Sequence, residues 1–238
     1  MDSLEMKERV GVHAADSLVT SGMKLGLGTG STAIHVVRRV GARLAAGDLK
    51  DIRVFATSFQ TELECERLGI PHYSLNSPEL SGGLDLTIDG ADEIDPENRL
   101  IKGGGAALLI EKLAAYNSAR LAIVADETKL VPHLGLRFAV PVELIPEARL
   151  TVSHALEKLG AAVTLREALR KAGPVITEHG NLILDIRFRE PVEPIDLEEY
   201  INSIPGVVEN GFFAGPRKNR IRPLVFIGRE NGVVEERH

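Results

Sequence analysis

The stretch Met23–Ala46, MKLGLGTGSTAIHVVRRVGARLAA, decides the fold. MKLGLG reads as a short strand, and Ser31 to Ala46 reads as a helix with Ser31 as its N-cap. Gly26, Gly28 and Gly30 lie at the turn between them. Backbone N–H groups at such a turn, with the helix dipole behind them, form an anion site, and Ser31 and Thr32 add hydroxyl donors. The loop is not a dinucleotide fingerprint, because Ser31 stands where the third glycine of G-x-G-x-x-G falls. The next strand ends in Thr57 and Ser58, with no acid to hold a ribose hydroxyl. No Gly-Lys-Ser/Thr follows, which excludes a Walker loop. A tight turn that binds nothing is the alternative reading of these residues alone.

Working outward, Leu4 to Ser21 reads as an amphipathic helix. RVFA reads as a strand, and SFQTELECERLG as a helix closed by Gly69. LDLTI (Leu84 to Ile88) and RLAIVAD are apolar strands, separated by a helix from about Ala106 to Ser118. Strands alternating with helices imply right-handed crossovers and a parallel sheet covered on both faces. The texture changes after Pro132. RFAVPVEL, TVSHALEKLG, AAVTLRE, VITEHGNLILDIRF and DLEEYINSIPG follow in a β-α-β-β-α order. VITEHGNLILDIRF reads as two strands joined at His179-Gly180-Asn181, and Asp196 as the N-cap of the last helix. This order suits a small α+β unit with an antiparallel sheet. The expected division is therefore an α/β domain of 1–131 plus 208–238 and a small α+β domain of 132–207. GVVENGFF and RPLVFIG are expected to rejoin the first sheet.

The 238 residues are 44% hydrophobic and 26% charged, ordinary values for a globular chain. A net charge of -6 argues against a diffuse affinity for nucleic acid. The single cysteine, Cys65, rules out an intramolecular disulfide and fits a reducing cytoplasm. MDSLEMKERV reads as a charged helix start rather than an apolar leader, and no apolar run approaches membrane-spanning length.

LDLTI runs into Asp89-Gly90-Ala91-Asp92-Glu93-Ile94-Asp95. A parallel strand delivers its C-terminal end to the ligand crevice, so these carboxylates stand where chemistry is expected. The spacing does not fit a calcium loop. The plain alternative is a solvated acidic loop. Next comes Lys102-Gly103-Gly104-Gly105, where three glycines imply close approach by a ligand or a backbone segment. Lys102 offers a charged donor to a developing oxyanion, or a salt bridge to the acidic turn. Glu111 is the most informative residue. Its helical neighbours Ala107, Leu108, Ala114 and Ala115 are apolar, while Lys112 falls to one side. Such a carboxylate is expected to be desolvated, with a raised pKa that suits a general base. The dull reading is a Glu at the edge of an apolar stripe that reaches water.

The remaining candidates are weak. Seven scattered histidines show no metal or triad spacing. Cys65 lies among Glu62, Glu64 and Glu66, which raise its pKa. Arg217 to Arg222 reads as an exposed basic hairpin.

GLGTGSTA, ATSFQTE, DGADEID, LIKGGGAALLIEK and VADETK, in this order and spacing, resemble ribose-5-phosphate isomerase of the A type. The resemblance continues more loosely at TEHGNLILDIRF and PGVVENGFF. It implies a Rossmann-like domain with a smaller inserted ferredoxin-like α+β domain, a homodimer or homotetramer, and neither cofactor nor metal. By the same resemblance, Glu111 transfers the proton, Asp89 and Asp92 line the sugar, and Lys102 supports the oxyanion. Thr29, Gly30, Ser31, Thr32 and Lys129 match the substrate loop and its lysine. Gly90, Ala91, Gly103, Gly104 and Gly105 complete the expected substrate contacts. Ile110 departs from the basic residue many relatives carry, and GPRKNRIRP is a longer connection than expected. A sugar-phosphate sensor and a nicotinamide-dependent reductase are the rival readings; Glu111 with Lys102 disfavours the first, and the missing third glycine the second.

Overall fold

A computed structural model describes residues 2–214 and 222–238. In chain order its helices and strands are α1 (Ser3–Leu18), β1 (Lys24–Leu27), α2 (Ala33–Ala45), β2 (Arg53–Ala56), α3 (Phe59–Leu68), β3 (Leu86–Asp89), β4 (Glu93–Ile94) and β5 (Leu100–Ile101). Then follow α4 (Leu108–Tyr116), β6 (Leu121–Asp126), β7 (Val140–Leu144), α5 (Arg149–Lys158), β8 (Ala162–Leu165) and β9 (Leu182–Arg187). The last are α6 (Pro194–Asn202), β10 (Val207–Asn210), β11 (Phe212–Phe213), β12 (Leu224–Gly228) and β13 (Val234–Arg237). By internal contacts the chain divides into two units. The first is Met1–Gly90, Ile110–Lys129 and Ile221–His238; the second is Ala91–Leu109 and Leu130–Arg220.

The first unit is Rossmann-like. Its sheet runs β13-β12-β6-β3-β1-β2, parallel throughout except for the edge strand β13. β1 has β2 on one side and β3 on the other, so the chain reverses direction across the sheet there. The crevice outside the carboxyl ends of strands at such a point is where α/β sheets bind ligands. Leu25, Leu27, Ile88, Ala122, Val124 and Phe226 of the sheet pack with Val10, Val36, Val37 and Val40 of the helices into one buried core. Asp2 caps α1 through a capping box with Glu5, and Gly69, in the left-handed region at φ 67°, ends α3.

The second unit holds the sheet β10-β7-β9-β8, antiparallel throughout, built from β7-α5-β8-β9-α6-β10. That order and connectivity are ferredoxin-like. A separate three-stranded sheet, β11-β5-β4, belongs to the same unit.

Four expectations change. GVVENGFF does not rejoin the first sheet, because β10 pairs with β7 and β11 with β5; RPLVFIG does rejoin it, as β12 beside β6. Residues 91–109, 130–131 and 208–214 group with the second unit, not with the expected 1–131 plus 208–238. The two-strand hairpin at 175–188 is one strand, β9. Its expected partner is reduced to an isolated bridge at Ile176, with Pro174, which has no N–H, just before it. The last helix starts two residues before Asp196: Glu193 is its N-cap and Pro194 fills the first turn, where its missing N–H costs nothing. Of the expected basic hairpin, 217–221 lie outside the described residues.

Candidate active site

In the first unit the anion loop follows β1. Gly28 N–H donates to Ile88 O at 2.9 Å, and the Asp89 carboxylate lies directly over Gly28. A Cβ on Gly28 would come within 2.0 Å of Asp89 Oδ1, so this glycine serves close approach. Asp89 is 1% exposed and accepts from Thr29 N at 3.1 Å and Gly90 N at 2.7 Å. The Thr29 hydroxyl meets Thr57 at 2.8 Å and Ser58 at 2.6 Å, while Gly30 N donates to Gln60 Oε1. Thr61 ties the loop down from α3 by donating to Gly28 O at 2.8 Å. The expected N-cap moves from Ser31 to Thr32, and neither hydroxyl caps α2 by a side-chain hydrogen bond. Instead Ser31 Oγ accepts from Lys7 Nζ of α1 at 3.1 Å, which brings a cation to the helix N-terminus.

At the end of β6, Asp126 accepts from Thr128 N at 3.0 Å. Glu127 accepts from Glu230 N at 3.0 Å and Arg229 Nη1 at 2.9 Å. Those two contacts, the Glu230 N–H first, hold Glu127 below the usual carboxylate range. Both acids of VADETK thus fasten the short turn that carries Lys129.

Glu111 lies in the first turn of α4 and is 4% exposed. Ala114 and Ala115, three and four residues on, are buried as well. Lys112, to one side of that face, is buried as well, with Nζ 5.8 Å from the Tyr116 ring centroid one turn along the helix. Cys65 is buried on α3. Burial first, then Glu64, Glu62 and Glu66, pushes its thiol up to about 12, which leaves it unreactive.

In the second unit the acidic turn sorts into two kinds of carboxylate. Glu93, 2% exposed, accepts from Gly135 N and Arg137 N at 2.6 Å each and from Phe138 N at 2.7 Å. Asp95 accepts from Glu97 N, Arg99 N and Arg99 Nε. These two are fasteners. Asp92, after Ala91, is half-buried; its N–H donates to Ile101 O, and its Oδ2 accepts from Gly104 N at 2.8 Å. Lys102 is buried, with Nζ 5.5 Å from the Phe213 ring centroid and its backbone N–H on Gly211 O. Gly103 has φ +103°, and a Cβ there would sit 2.8 Å from Pro141 Cγ. A Cβ on Gly104 would meet Asp92 Oδ1 at 2.7 Å. Gly105 is exposed.

An anion loop, a buried glutamate and an Asp-bearing glycine loop invite comparison with known proteins. The model of the family ribose 5-phosphate isomerase A (phosphoriboisomerase A) matches residues 53–232. The chain belongs to the ribose 5-phosphate isomerase A family. A ribose-5-phosphate isomerase A of Treponema denticola is 53% identical, covering 99% of this chain and 100% of that protein. The solved ribose 5-phosphate isomerase A of Methanocaldococcus jannaschii is similar at TM-score 0.89 and 38% identity, over 99% of both chains. A solved D-ribose-5-phosphate isomerase in complex with phospho-erythronic acid matches at TM-score 0.92 and 38% identity, over 100% of both.

For this member of the ribose 5-phosphate isomerase A family, the sequence alone assigned no part in the loop to Lys7, Thr57, Ser58, Gln60 or Thr61. ATSFQTE carries part of the family resemblance, but nothing in it announces that its hydroxyls fix Thr29. Lys7 reads as one charge on an exposed helix. Among the described residues no group of three or more His, Cys, Asp and Glu side chains is arranged to hold a metal ion, and no helix is long and apolar enough to cross a membrane.

Proposed function

We propose that this chain interconverts ribose 5-phosphate and ribulose 5-phosphate through an enediolate, as a step of the non-oxidative pentose phosphate pathway. The observation that carries this reading is the buried Glu111 carboxylate in a chain whose family match spans most of its length. The furanose must open, a C2 proton must leave, and a proton must arrive at C1. One carboxylate on the correct face serves both transfers, and Glu111 is assigned to them. Asp89 and Asp92 exchange protons with the ring oxygen and the C1 and C2 oxygens. Lys102 offsets the enediolate charge, and Gly90, Ala91 and Gly103 to Gly105 lend small size and backbone groups to the sugar. The phospho-erythronic acid held by a solved relative supports an enediolate: it is a phosphorylated sugar acid whose carboxylate has the planar, anionic form of that intermediate. In deuterated water, ribose 5-phosphate should give ribulose 5-phosphate with deuterium entering at C1, read by proton NMR. No ketose product at micromolar enzyme would sink the reading.

Phosphate is assigned to the loop Thr29 to Thr32 with Lys129, and Lys7 joins them. Lys7 is supported by its 3.1 Å bond to Ser31 and by the uncapped start of α2. Changing Lys7→Ala or Lys129→Ala should weaken phosphorylated sugars roughly tenfold or more, the worth of a charged hydrogen bond, and free ribose hardly at all. Equal weakening of both sugars would count against the assignment.

The protein is read as a homodimer or homotetramer working in the cytoplasm without cofactor or metal. Light scattering that returned the mass of a single chain at micromolar concentration would refute the oligomer.

A further inference from the structure

Arg166 has no place in the chemistry above, yet it is engaged with the glycine loop. It follows the last residue of β8, and its N–H bonds Ile183 O on β9. Its Nε donates to Asp185 Oδ2 at 2.8 Å and its Nη2 to Asp185 Oδ1, so the guanidinium is gripped as a fork by β9. The remaining arm, Nη1, donates to Gly103 O at 2.8 Å and to Gly104 O at 3.3 Å. Gly103 O and Gly104 N are the two ends of one peptide plane. The other end of that plane, Gly104 N, donates to Asp92 Oδ2 at 2.8 Å.

We infer that Arg166 is a positioning residue that acts on Asp92 through the Gly103–Gly104 peptide. A cation on the carbonyl makes the N–H of the same peptide a stronger donor, and a carboxylate on the N–H makes the carbonyl a better acceptor. The Arg166 side chain is only 14% exposed, so solvent does little to damp this polarisation. Asp185 offsets part of the charge, but it lies across the guanidinium from Nη1, and the pair still turns its positive end to the peptide. The geometry of the loop fits the same purpose. The positive φ of Gly103 aims its carbonyl, and Gly104 has no Cβ to push Asp92 away. Ala106 N takes the second lone pair of Gly103 O at 3.0 Å, which fixes the plane from the other side.

This inference rests on the reading of Asp92 as a sugar-facing group, and its test separates the two. Steady-state isomerisation is measured for Arg166→Met, Asp92→Asn and the double variant, each checked for cooperative thermal unfolding. Arg166→Met should lower kcat/KM roughly tenfold to hundredfold, mainly in kcat. In the Asp92→Asn background the same change should cost less than about threefold, because the group it acts on is already altered. An equal loss in both backgrounds, or wild-type kinetics for Arg166→Met, overturns the relay and leaves the Asp92 reading standing. Wild-type kinetics for Asp92→Asn overturns the Asp92 reading, and the relay with it. If Arg166→Met does not fold, Arg166→Gln, which keeps a polar side chain beside Asp185 but removes the cation, runs the same cycle under the same criteria.

Discussion

Glu111→Gln should lower turnover by about 10²–10⁴-fold, the usual worth of a positioned acid–base group, while KM changes little. Glutamine keeps the length, the shape and most of the hydrogen-bonding capacity of the side chain, so packing on α4 survives. What it cannot do is accept and return a proton. At 4% exposure no bulk water stands ready to replace it as base. Exchange of the C2 hydrogen with deuterated water should fall in parallel with isomerisation, since both pass through the enediolate. If exchange persists at the wild-type rate while isomerisation stalls, Glu111 is not the C2 base. Asp89 or Asp92 then takes its place.

Glu111 was legible because the signal is local. Residues three and four along a helix share a face, so the composition of that face foretells burial without knowledge of the rest of the chain. The strand, loop and helix at Met23–Ala46 were legible for the same reason, although the helix starts at Ala33 rather than Ser31. Partner choice was not legible. GVVENGFF alternates like a strand, but alternation says nothing about which strand it meets. The choice is settled by distant groups: Asn210 Nδ2 bonds Glu198 O and Asn202 Oδ1, and Gly211 N bonds Pro141 O. A Cβ on Gly211 would lie 2.4 Å from Pro141 Cδ, so the chain bends there between β10 and β11. Arg166 was invisible for a related reason. It stands 63 residues from Gly103 and reads in sequence as one arginine at a strand end. The burial of Lys112 was not legible either, because a lysine beside an apolar stripe ordinarily reaches water. Here its stem is buried and its ammonium lies near Tyr116.

The acidic turn shows where sequence reading stops and where a second large effect is expected. Four carboxylates in seven residues look alike on paper, and nothing in their spacing tells which of them fasten the backbone most heavily. Hydrogen bonding does: Glu93 and Asp95 each hold three donors, and Asp92 holds Gly104 N. Glu93, on β4 beside Ile101, spends both oxygens on three N–H groups of the 135–138 segment. Removing that carboxylate strands buried donors, each of which costs about 1–3 kcal/mol when left without an acceptor. Glu93→Ala should therefore destabilise the protein by about 3–5 kcal/mol, after some recovery by entering water. At 2–4 °C per kcal/mol for a chain of this size, the melting temperature should fall by about 10 °C. Glu93→Gln should fall between Ala and wild type, since one amide oxygen still accepts while its NH2 faces an opposing N–H. Activity should drop with stability, because the β4–β5 hairpin that Glu93 pins carries Asp92 and Lys102 side by side at its open end. Thermal unfolding followed by circular dichroism measures the first effect and initial rates at 25 °C the second. A Glu93→Ala protein that melts within about 2 °C of wild type would mean that the three N–H groups find other acceptors and that the hairpin is held by its strand pairing alone.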